Sequence, residues 1–213
     1  MKLVFPSLYA IIDASLLRTS ELAFAEMLAE SGVELIQYRN KQASSRFLFQ
    51  VSRDLASSLK SRKVRFVVND RPDVAVLAGA DGVHVGQEDL GVEESRGICG
   101  AERWVGVSTH TVEQLARADK TSADYIAVGP IFSTHTKENA DAVVGLEFLE
   151  GARALTRKPL VAIGGISLER ASDVFRAGAD SVAVARDLLC AAEPALRARQ
   201  FLKVAAQVSD RAS

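Results

Sequence analysis

The feature that most limits the folds open to this chain is a regular alternation of strand-like and helix-like segments along its length. Short apolar runs rich in branched side chains are typical of buried parallel strands. Eight such runs occur, at residues 8–13, 35–39, 65–69, 82–86, 104–108, 125–128, 160–163 and 181–185. A segment with apolar residues at helical spacing follows each run. Eight strand–helix pairs in 213 residues predict a (β/α)8 barrel, formed as one domain by residues 1–213.

The main rival is an open, doubly wound sheet. Such a sheet usually marks its nucleotide site with a glycine-rich fingerprint. The chain contains no G-x-G pair and no G-x-x-x-x-G-K motif. The sequence therefore favours the closed barrel over the open sheet.

Local signals predict where several helices begin. Pro72 falls in the first turn of a helix predicted over residues 71–77, where its missing N–H costs nothing. Thr111 and Gln114 have the spacing of a capping box. Ser167 directly precedes an apolar helical pattern, which predicts it as an N-cap. The last helix is predicted over residues 195–208.

Composition argues against several classes of function. The formal net charge is −1, so nothing favours nucleic acid as the main partner. No apolar run approaches the roughly 18 residues of a membrane helix, and residues 1–9 lack the pattern of a secretory signal. Cys99 and Cys190 lie far apart without a CxxC motif, which predicts reduced thiols in a cytoplasmic protein. The three His and two Cys show no zinc-ligand spacing.

The loop after the sixth strand concentrates hydrogen-bond donors. Gly129-Pro130 ends the apolar run, and Thr134, His135, Thr136 and Lys137 follow within a few residues. Hydroxyl and ammonium groups both donate to phosphate oxygens, so this loop suits an anionic ligand. On these residues alone, a solvated polar loop is an equal alternative.

Polar side chains also mark the end of the second strand, where a barrel carries its site. Because side chains alternate along a strand, Gln37, Arg39 and Lys41 share one face and Tyr38 takes the other. Charged groups at the mouth of a barrel are costly unless they bind something. The alternative is a surface loop whose bases are solvated.

Two carboxylates follow the third and fourth strands. Asp70 comes directly after Asn69, and Asp89 comes shortly after the fourth apolar run. Ends of neighbouring parallel strands lie roughly 5 Å apart, so Asp70 and Asp89 could face one cation together. Two carboxylates with room for waters and phosphate oxygens suit Mg2+ better than Ca2+ or zinc. A helix N-cap is the alternative for each Asp, and it stays open at this point.

Further polar groups follow the later strands. Ser108 ends the fifth strand and His110 comes shortly after it, a Gly164-Gly165 turn follows the seventh, and Arg186 follows the eighth. The loops after strands seven and eight are the usual phosphate site of a barrel. His84, in the middle of the fourth strand, is predicted to be a satisfied wall residue. These groups indicate a diphosphate with Mg2+ on one side, a monophosphate on the other, and chemistry by leaving-group stabilisation.

Six stretches, in the same order and spread over almost the whole chain, resemble the thiamine-phosphate synthase family. They are QYRNK at 37–41, NDR at 69–71, GVHVGQED at 82–89, GVSTH at 106–110, VGPIFSTHTK at 128–137 and AIGGI at 162–166. Each stretch is weak alone, but six in the right order are specific. The resemblance implies a (β/α)8 barrel that joins a hydroxymethylpyrimidine diphosphate to a thiazole phosphate. Diphosphate would leave first, and the thiazole nitrogen would capture a pyrimidinyl-methyl cation.

The resemblance also implies roles for individual residues. Asp70 and Asp89 would bind Mg2+ as the cofactor. The catalytic residues would be Arg39, Lys41, Ser108 and Lys137. Both substrates are small molecules, and the residues expected to hold them are Gln37, Tyr38, Arg39, Asn40, Lys41, Asn69, Ser108, Thr134, His135, Thr136, Lys137, Gly165, Ala185 and Arg186. Neither a nucleic acid nor a membrane is expected as a partner, and a homo-oligomer is left open.

The chain departs from the family pattern at two places. Ser133 stands where the family often has Pro in the loop after the sixth strand. Ala185-Arg186 stands after the eighth strand, where the family tends to have a Val-Ser pair. Because Arg can bind phosphate as a fork, recognition of the thiazole phosphate is compatible with this change.

Two other functions stay open. A thiazole tautomerase of a related barrel family would isomerise the thiazole phosphate, and His110 would suit it as an acid–base group. The Thr-x-Thr-Lys pattern at 134–137 favours the synthase. A non-catalytic sensor of phosphate ligands belongs to a different class, and the presence of Asp70, Asp89 and Lys137 argues against it.

Overall fold

The structure, a computed structural model, describes residues 5–134 and 142–212. Its strands are β1 (Leu8–Asp13), β2 (Leu35–Arg39), β3 (Arg65–Asn69), β4 (Gly82–Val85), β5 (Trp104–Thr109), β6 (Tyr125–Val128), β7 (Leu160–Ile163) and β8 (Ser181–Val184). Its helices are α1 (Glu21–Glu30), α2 (Ser45–Ser61), α3 (Pro72–Ala78), α4 (Val92–Cys99), α5 (Val112–Asp119), α6 (Gly145–Leu155), α7 (Leu168–Arg176), α8 (Arg186–Leu189) and α9 (Pro194–Ala212).

The eight strands form a closed barrel in chain order, and each runs parallel to its neighbours. Strand β8 pairs with β1, which closes the barrel and leaves no free sheet edge. The predicted (β/α)8 fold is therefore confirmed. All strand ends that carry polar residues point to the same mouth of the barrel.

The core has two layers because successive side chains of a strand point to opposite faces. Inside the barrel lie Tyr9, Leu35, Trp104 and Tyr125, among other residues. A larger cluster fills the space between the barrel and the surrounding helices. The inner layer includes the aromatic rings of Tyr9, Trp104 and Tyr125, and it closes the barrel beneath the mouth.

Most element boundaries agree with the sequence prediction to within one or two residues. The main omission is α8, which has only four residues and is too short for apolar periodicity to reveal. The last helix is also longer than predicted and begins at Pro194. Among the described residues, no helix has the length and apolar character needed to span a bilayer.

The predicted helix starts are confirmed in position but differ in detail. Thr111 Oγ1 accepts a hydrogen bond from the Gln114 amide at 3.2 Å, as expected of an N-cap. Gln114 Oε1 bonds the amide of His110 at 2.6 Å, one residue before the cap. Ser167 occupies the N-cap position of α7, but its side chain makes no capping bond. Instead the Leu168 amide donates to Asp187 Oδ2 at 3.1 Å.

Three aspartates repeat one contact at the end of the barrel opposite the mouth. Asp81, Asp124 and Asp180 each directly precede an even-numbered strand. Each carboxylate accepts the backbone N–H at or next to the start of the preceding odd-numbered strand, and the donors are Phe66, Val105 and Leu160 at 2.8, 2.7 and 2.8 Å. Charge-assisted bonds of this kind fix the relative height of neighbouring strands.

Candidate active site

A cavity of about 530 Å3 opens at the C-terminal ends of the strands. Six of the residues expected to hold the substrates line it: Arg39, Ser108, Thr134, Gly165, Ala185 and Arg186. Apolar side chains such as Ile11, Ile163 and Ala183 form much of its remaining wall. A largely apolar pocket with a few convergent polar groups is typical of a small-molecule site.

Strand β2 divides its side chains as predicted. Arg39 reaches the cavity, while Gln37 lies deeper inside the barrel and is 2 % exposed. Its Nε2 donates to the Tyr9 hydroxyl at 3.0 Å. Gln37 is therefore part of the floor beneath the cavity rather than of its wall.

Tyr38 was predicted to bind substrate, and the structure places it elsewhere. Its ring is fully buried between the barrel and the helices, on the face of β2 opposite Gln37. Its hydroxyl donates to Glu21 at 3.2 Å and accepts from Asn40 Nδ2 at 3.1 Å. Burial raises the pKa of Tyr38 to about 12, so the phenol stays protonated. Strand alternation explains the difference, since one face alone can meet the cavity.

Asn40 was also predicted to bind substrate, but its side chain is used within the loop. Its Oδ1 accepts from the Gln42 amide at 3.2 Å, while its Nδ2 donates to Tyr38. Such a bond to an amide two residues on is typical of an Asx turn. Asn40 therefore shapes the loop that carries Lys41.

Asp13 is a cavity residue that the sequence analysis missed. It is 1 % exposed, and its Oδ2 lies 2.5 Å from Arg39 Nη1. The two residues are register partners at the ends of β1 and β2. Ser15 occupies the other carboxylate oxygen, through its amide at 3.0 Å and its hydroxyl at 2.6 Å. The sequence signal that indicates Asp13 is its position as the last residue of the first apolar run, 8–13.

The two carboxylates predicted to bind metal lie together at the mouth. Asp70, at the end of β3, forms an ion pair with Lys41 and contacts the side chain of Asp89. Burial raises the pKa of Asp70, and the neighbouring Asp89 raises it further, while Lys41 opposes both effects. Asp70 has φ of 63°, and its amide donates to the His84 carbonyl at 2.7 Å. A non-glycine residue in this conformation is held there by its surroundings.

Neither aspartate is a helix N-cap, so that alternative is wrong. Helix α3 has Arg71 at its N-cap position, and α4 has Gly91 there. Asp89 Oδ2 accepts from the Gly86 amide at 2.8 Å, which closes a tight turn after β4. Both carboxylates are thus placed by strand ends and turns.

The donor set fits a hard divalent cation that keeps part of its coordination open. Two adjacent carboxylates, partly buried and mutually repulsive, gain from a cation between them. Within residues 5–134 and 142–212, no group of three or more His, Cys, Asp and Glu could hold a metal ion. Mg2+ commonly binds through one or two carboxylates plus waters and substrate phosphates, so two aspartates are enough.

The cavity wall includes none of Lys41, Asn69, Asp70 and Asp89. Its side next to β7 and β8 is built by the turn after β7 and by α8. Gly165 has φ of 62°, and a Cβ there would lie 2.4 Å from the Ser133 carbonyl oxygen. Only glycine allows this close approach of the two loops. Arg186 is the first residue of α8 and lines the same cavity. A short extra helix after β8 is a recurrent phosphate-binding element of these barrels.

Ser108 lies near the end of β5 and lines the cavity. Its hydroxyl is 2.9 Å from His84 Nε2, and its carbonyl accepts from Gln87 Nε2 at 2.6 Å. His84 is 6 % exposed, and its Nδ1 is 3.1 Å from the Tyr125 hydroxyl. The prediction that His84 is a satisfied residue of the barrel wall is confirmed.

The comparisons with known proteins decide the family. The family model described as thiamine monophosphate synthase matches residues 8–188. The chain belongs to this family. A thiamine-phosphate synthase of Koribacter versatilis is 50 % identical over 207 residues, covering 95 % of this chain and 97 % of that protein. Another, from Chloroflexus aurantiacus, is 40 % identical over 206 residues, covering 96 % and 95 %.

A solved structure gives the same result. The thiamine phosphate pyrophosphorylase of Pyrococcus furiosus superposes with a TM-score of 0.87 at 31 % identity, covering 95 % of this chain and 96 % of that one. The predicted function, a thiamine-phosphate synthase rather than a tautomerase or a sensor, is confirmed by the family and these relatives. The descriptions of the family and of these relatives support an enzyme of the transferase class.

Three residues assigned to the synthase site, His135, Thr136 and Lys137, lie outside the described residues. Their predicted roles stay predictions. Thr134, just before them, does line the cavity. His110, the acid–base group of the tautomerase hypothesis, also lines it, and its Nδ1 lies 2.6 Å from the Gly129 carbonyl oxygen. A carbonyl only accepts, so His110 Nδ1 carries a proton.

Proposed function

We propose that the chain transfers the hydroxymethylpyrimidine group from its diphosphate to a thiazole phosphate and releases diphosphate in an Mg2+-dependent reaction. The observation that carries this proposal is the grouping of Lys41, Asp70 and Asp89 at one side of the mouth. Such a group is costly in a partly buried position without an anionic, metal-bound ligand. A diphosphate with Mg2+ satisfies all three charges at once.

The diphosphate would lie over the ends of β2 to β5. Arg39 is held at the cavity by Asp13, which fixes the guanidinium for a bidentate contact with phosphate. Lys41 is half-exposed, so it can turn from Asp70 to a phosphate oxygen when a cation takes its place. Asn69 stands beside Asp70 and supplies a neutral amide.

The thiazole phosphate would lie on the other side, against Gly165, Thr134 and Arg186. All three line the cavity. The backbone of the glycine turn, which lines the cavity, and the Arg fork are suited to a phosphomonoester. In this arrangement the two substrates meet over Ser108. The buried side chains beneath it, whose polar groups are hydrogen-bonded to one another, exclude water.

The reaction would begin with breakage of the bond between the pyrimidine methylene carbon and the diphosphate oxygen. The bonding electron pair leaves with diphosphate, and a lone pair of the thiazole nitrogen then forms the new carbon–nitrogen bond. When bound, Mg2+ supplies positive charge to the departing phosphate oxygens. Arg39 and Lys41 stabilise the same oxygens, and the apolar walls keep water from capturing the cation.

The same proposal includes a cytoplasmic location and one domain. Two free cysteines support a reducing compartment, and the continuous outer core around the barrel supports a single folding unit. Fractionation of cells and limited proteolysis test these two points. The oligomeric state, left open by the sequence, is measured by light scattering on the same sample.

Turnover with the two purified substrates, with and without Mg2+, tests the proposal. We expect thiamine phosphate and diphosphate in equal amounts, only when Mg2+ is present. Lys41→Ala should lower the rate more than His110→Ala. A protein that makes no thiamine phosphate but isomerises the thiazole phosphate in a His110-dependent way would overturn the proposal in favour of the tautomerase.

A further inference from the structure

We propose that Tyr9, Tyr125 and His84 form a buried hydrogen-bond relay that sets the direction of the Ser108 hydroxyl, so that its hydrogen points into the cavity. This inference rests on the proposed function, in which Ser108 contacts the substrates. None of the three relay residues lines the cavity. They are positioning residues that act through Ser108.

The relay is a continuous chain of short contacts inside the barrel. Tyr9 Oη lies 2.9 Å from Tyr125 Oη, and Tyr125 Oη lies 3.1 Å from His84 Nδ1. His84 Nε2 lies 2.9 Å from Ser108 Oγ. The chain starts at Gln37, whose Nε2 donates to Tyr9 Oη at 3.0 Å. The relay thus connects Gln37, on β2 beneath the cavity, to Ser108, on β5 at the cavity wall.

Both phenols keep their protons. Tyr9 and Tyr125 are 1 % and 0 % exposed. Burial is the main cause that raises the pKa of each of them above the ordinary value of a tyrosine. Each ring therefore contributes one hydrogen to the chain, and each hydrogen needs an acceptor.

The direction of the chain follows from the amide of Gln37. Because Gln37 donates to Tyr9 Oη, the hydrogen of Tyr9 has Tyr125 Oη as its partner among the described residues. If Tyr125 donated to Tyr9 instead, the Tyr9 hydrogen would be buried without an acceptor, which costs on the order of 1–3 kcal/mol. Tyr125 then donates to His84 Nδ1.

A neutral imidazole that accepts at Nδ1 carries its hydrogen on Nε2. His84 Nε2 accordingly donates to Ser108 Oγ. The hydrogen of Ser108 is left to point elsewhere, and the cavity lies on its open side. A donor at this position suits phosphate oxygens and ring nitrogens, which are acceptors, whereas a lone pair there would repel them.

Packing keeps the relay in place. The rings of His84 and Tyr125 are stacked, with centroids 5.5 Å apart and planes at 26°. Gly106, on β5, leaves room for the Tyr125 ring, since a Cβ there would lie 2.0 Å from Tyr125 Cζ. Ser108 is fixed at its backbone as well, because its carbonyl accepts from Gln87. The Ser108 side chain can then change little except by rotation of its hydroxyl, and the relay fixes the direction of that hydroxyl.

The tautomer of His84 is the direct readout, and it requires no turnover. The chain has three histidines, so 15N-labelled imidazoles can be assigned by comparison with a His84→Gln sample. We expect wild-type His84 to be one tautomer, with hydrogen on Nε2, at neutral pH. Hydrogen on Nδ1 would overturn the proposed direction, whatever activity the protein has.

Kinetics test whether the relay acts through Ser108. Tyr125→Phe keeps the ring but removes the hydroxyl, and we expect kcat to fall about tenfold with little change in KM. Tyr125→Phe should have no further effect in a Ser108→Ala background. Equal effects in both backgrounds would overturn the relay. Thr156→Val is the control, since it removes a buried hydroxyl bond to Asp119 at the far end of the barrel.

Two substitutions of His84 distinguish hydrogen-bond donation to Ser108 from a role in packing alone. The amide nitrogen of Gln can stand near the position of Nε2 and donate to Ser108, whereas Asn reaches only the position of Nδ1. We expect His84→Gln to retain several times more activity than His84→Asn at similar thermal stability. If both variants fold and lose activity equally, His84 Nε2 does not act as a donor to Ser108.

Discussion

Lys41 and Asp70 form an ion pair that joins the loop after β2 to the end of β3, and Asp89 contacts the same carboxylate from beyond β4. One ammonium thus pairs with one of two neighbouring carboxylates. A divalent cation would compensate them fully and would release Lys41 to bind phosphate. The arrangement would therefore link metal binding to the availability of a cationic side chain, Lys41, for the diphosphate.

Replacing Asp70 tests this link. The pKa of Asp70 is raised by burial and by Asp89, so the ionised side chain destabilises the fold at neutral pH. The free energy of unfolding should therefore rise as the pH falls and Asp70 becomes protonated. We expect Asp70→Asn to raise the melting temperature in EDTA and to abolish the rise that wild type shows in MgCl2. An Mg2+-induced rise as large in the variant as in wild type would show that the metal binds elsewhere.

The Asp13–Arg39 pair should matter for both stability and binding. Asp13→Asn leaves a partly buried guanidinium without its partner, which should lower the free energy of unfolding by about 2 kcal/mol. It should also raise KM for the pyrimidine diphosphate. Urea unfolding and steady-state kinetics measure the two effects. Asp54→Asn, which breaks an exposed pair with Arg53, is the matched control and should change neither.

Arg186 should set the affinity for the second substrate. Because it lines the cavity at the start of α8, Arg186→Ala is expected to raise KM for the thiazole phosphate about tenfold and to leave KM for the pyrimidine diphosphate unchanged. Arg176→Ala, on the exposed face of α7, serves as control. Unchanged KM values for both substrates would mean that Arg186 does not contact the phosphate.

Asp124 should be important for stability alone. It accepts from the Val105 amide at 2.7 Å and from Arg96 at 2.5 Å, at the end of the barrel away from the cavity. Asp124→Asn should lower the free energy of unfolding by about 1.5–3 kcal/mol without changing kcat of the folded enzyme. Calorimetry measures the free energy of unfolding, and kinetics at a temperature well below the unfolding transition measure kcat. A large loss of kcat would show that the far end of the barrel influences the site.

The sequence was most informative about the strands and their ends. Buried parallel strands leave a strong apolar signal, and strand alternation correctly put Arg39 at the cavity and Tyr38 on the other face. The same alternation should have removed Tyr38 from the substrate-binding residues, because a ring buried among helices cannot reach the mouth. The family resemblance alone places Tyr38 among the substrate-binding residues.

Contacts between distant segments were harder to predict. The pairing of Asp13 with Arg39 depends on the register of β1 and β2, and the relay from Tyr9 to Ser108 joins four strands. Neither has a local spacing that a single sequence reveals. Helix α8 was missed because four residues are too few to show helical periodicity.

Isothermal titration of the protein with the pyrimidine diphosphate tests the central claim most directly. We expect binding in excess MgCl2, at least tenfold weaker binding in EDTA, and weak binding under both conditions for the Asp70→Asn and Asp89→Asn variants. Equal affinity with and without Mg2+ in wild type, or Mg2+-enhanced binding that survives both substitutions, would contradict a metal-bound diphosphate held between these two carboxylates.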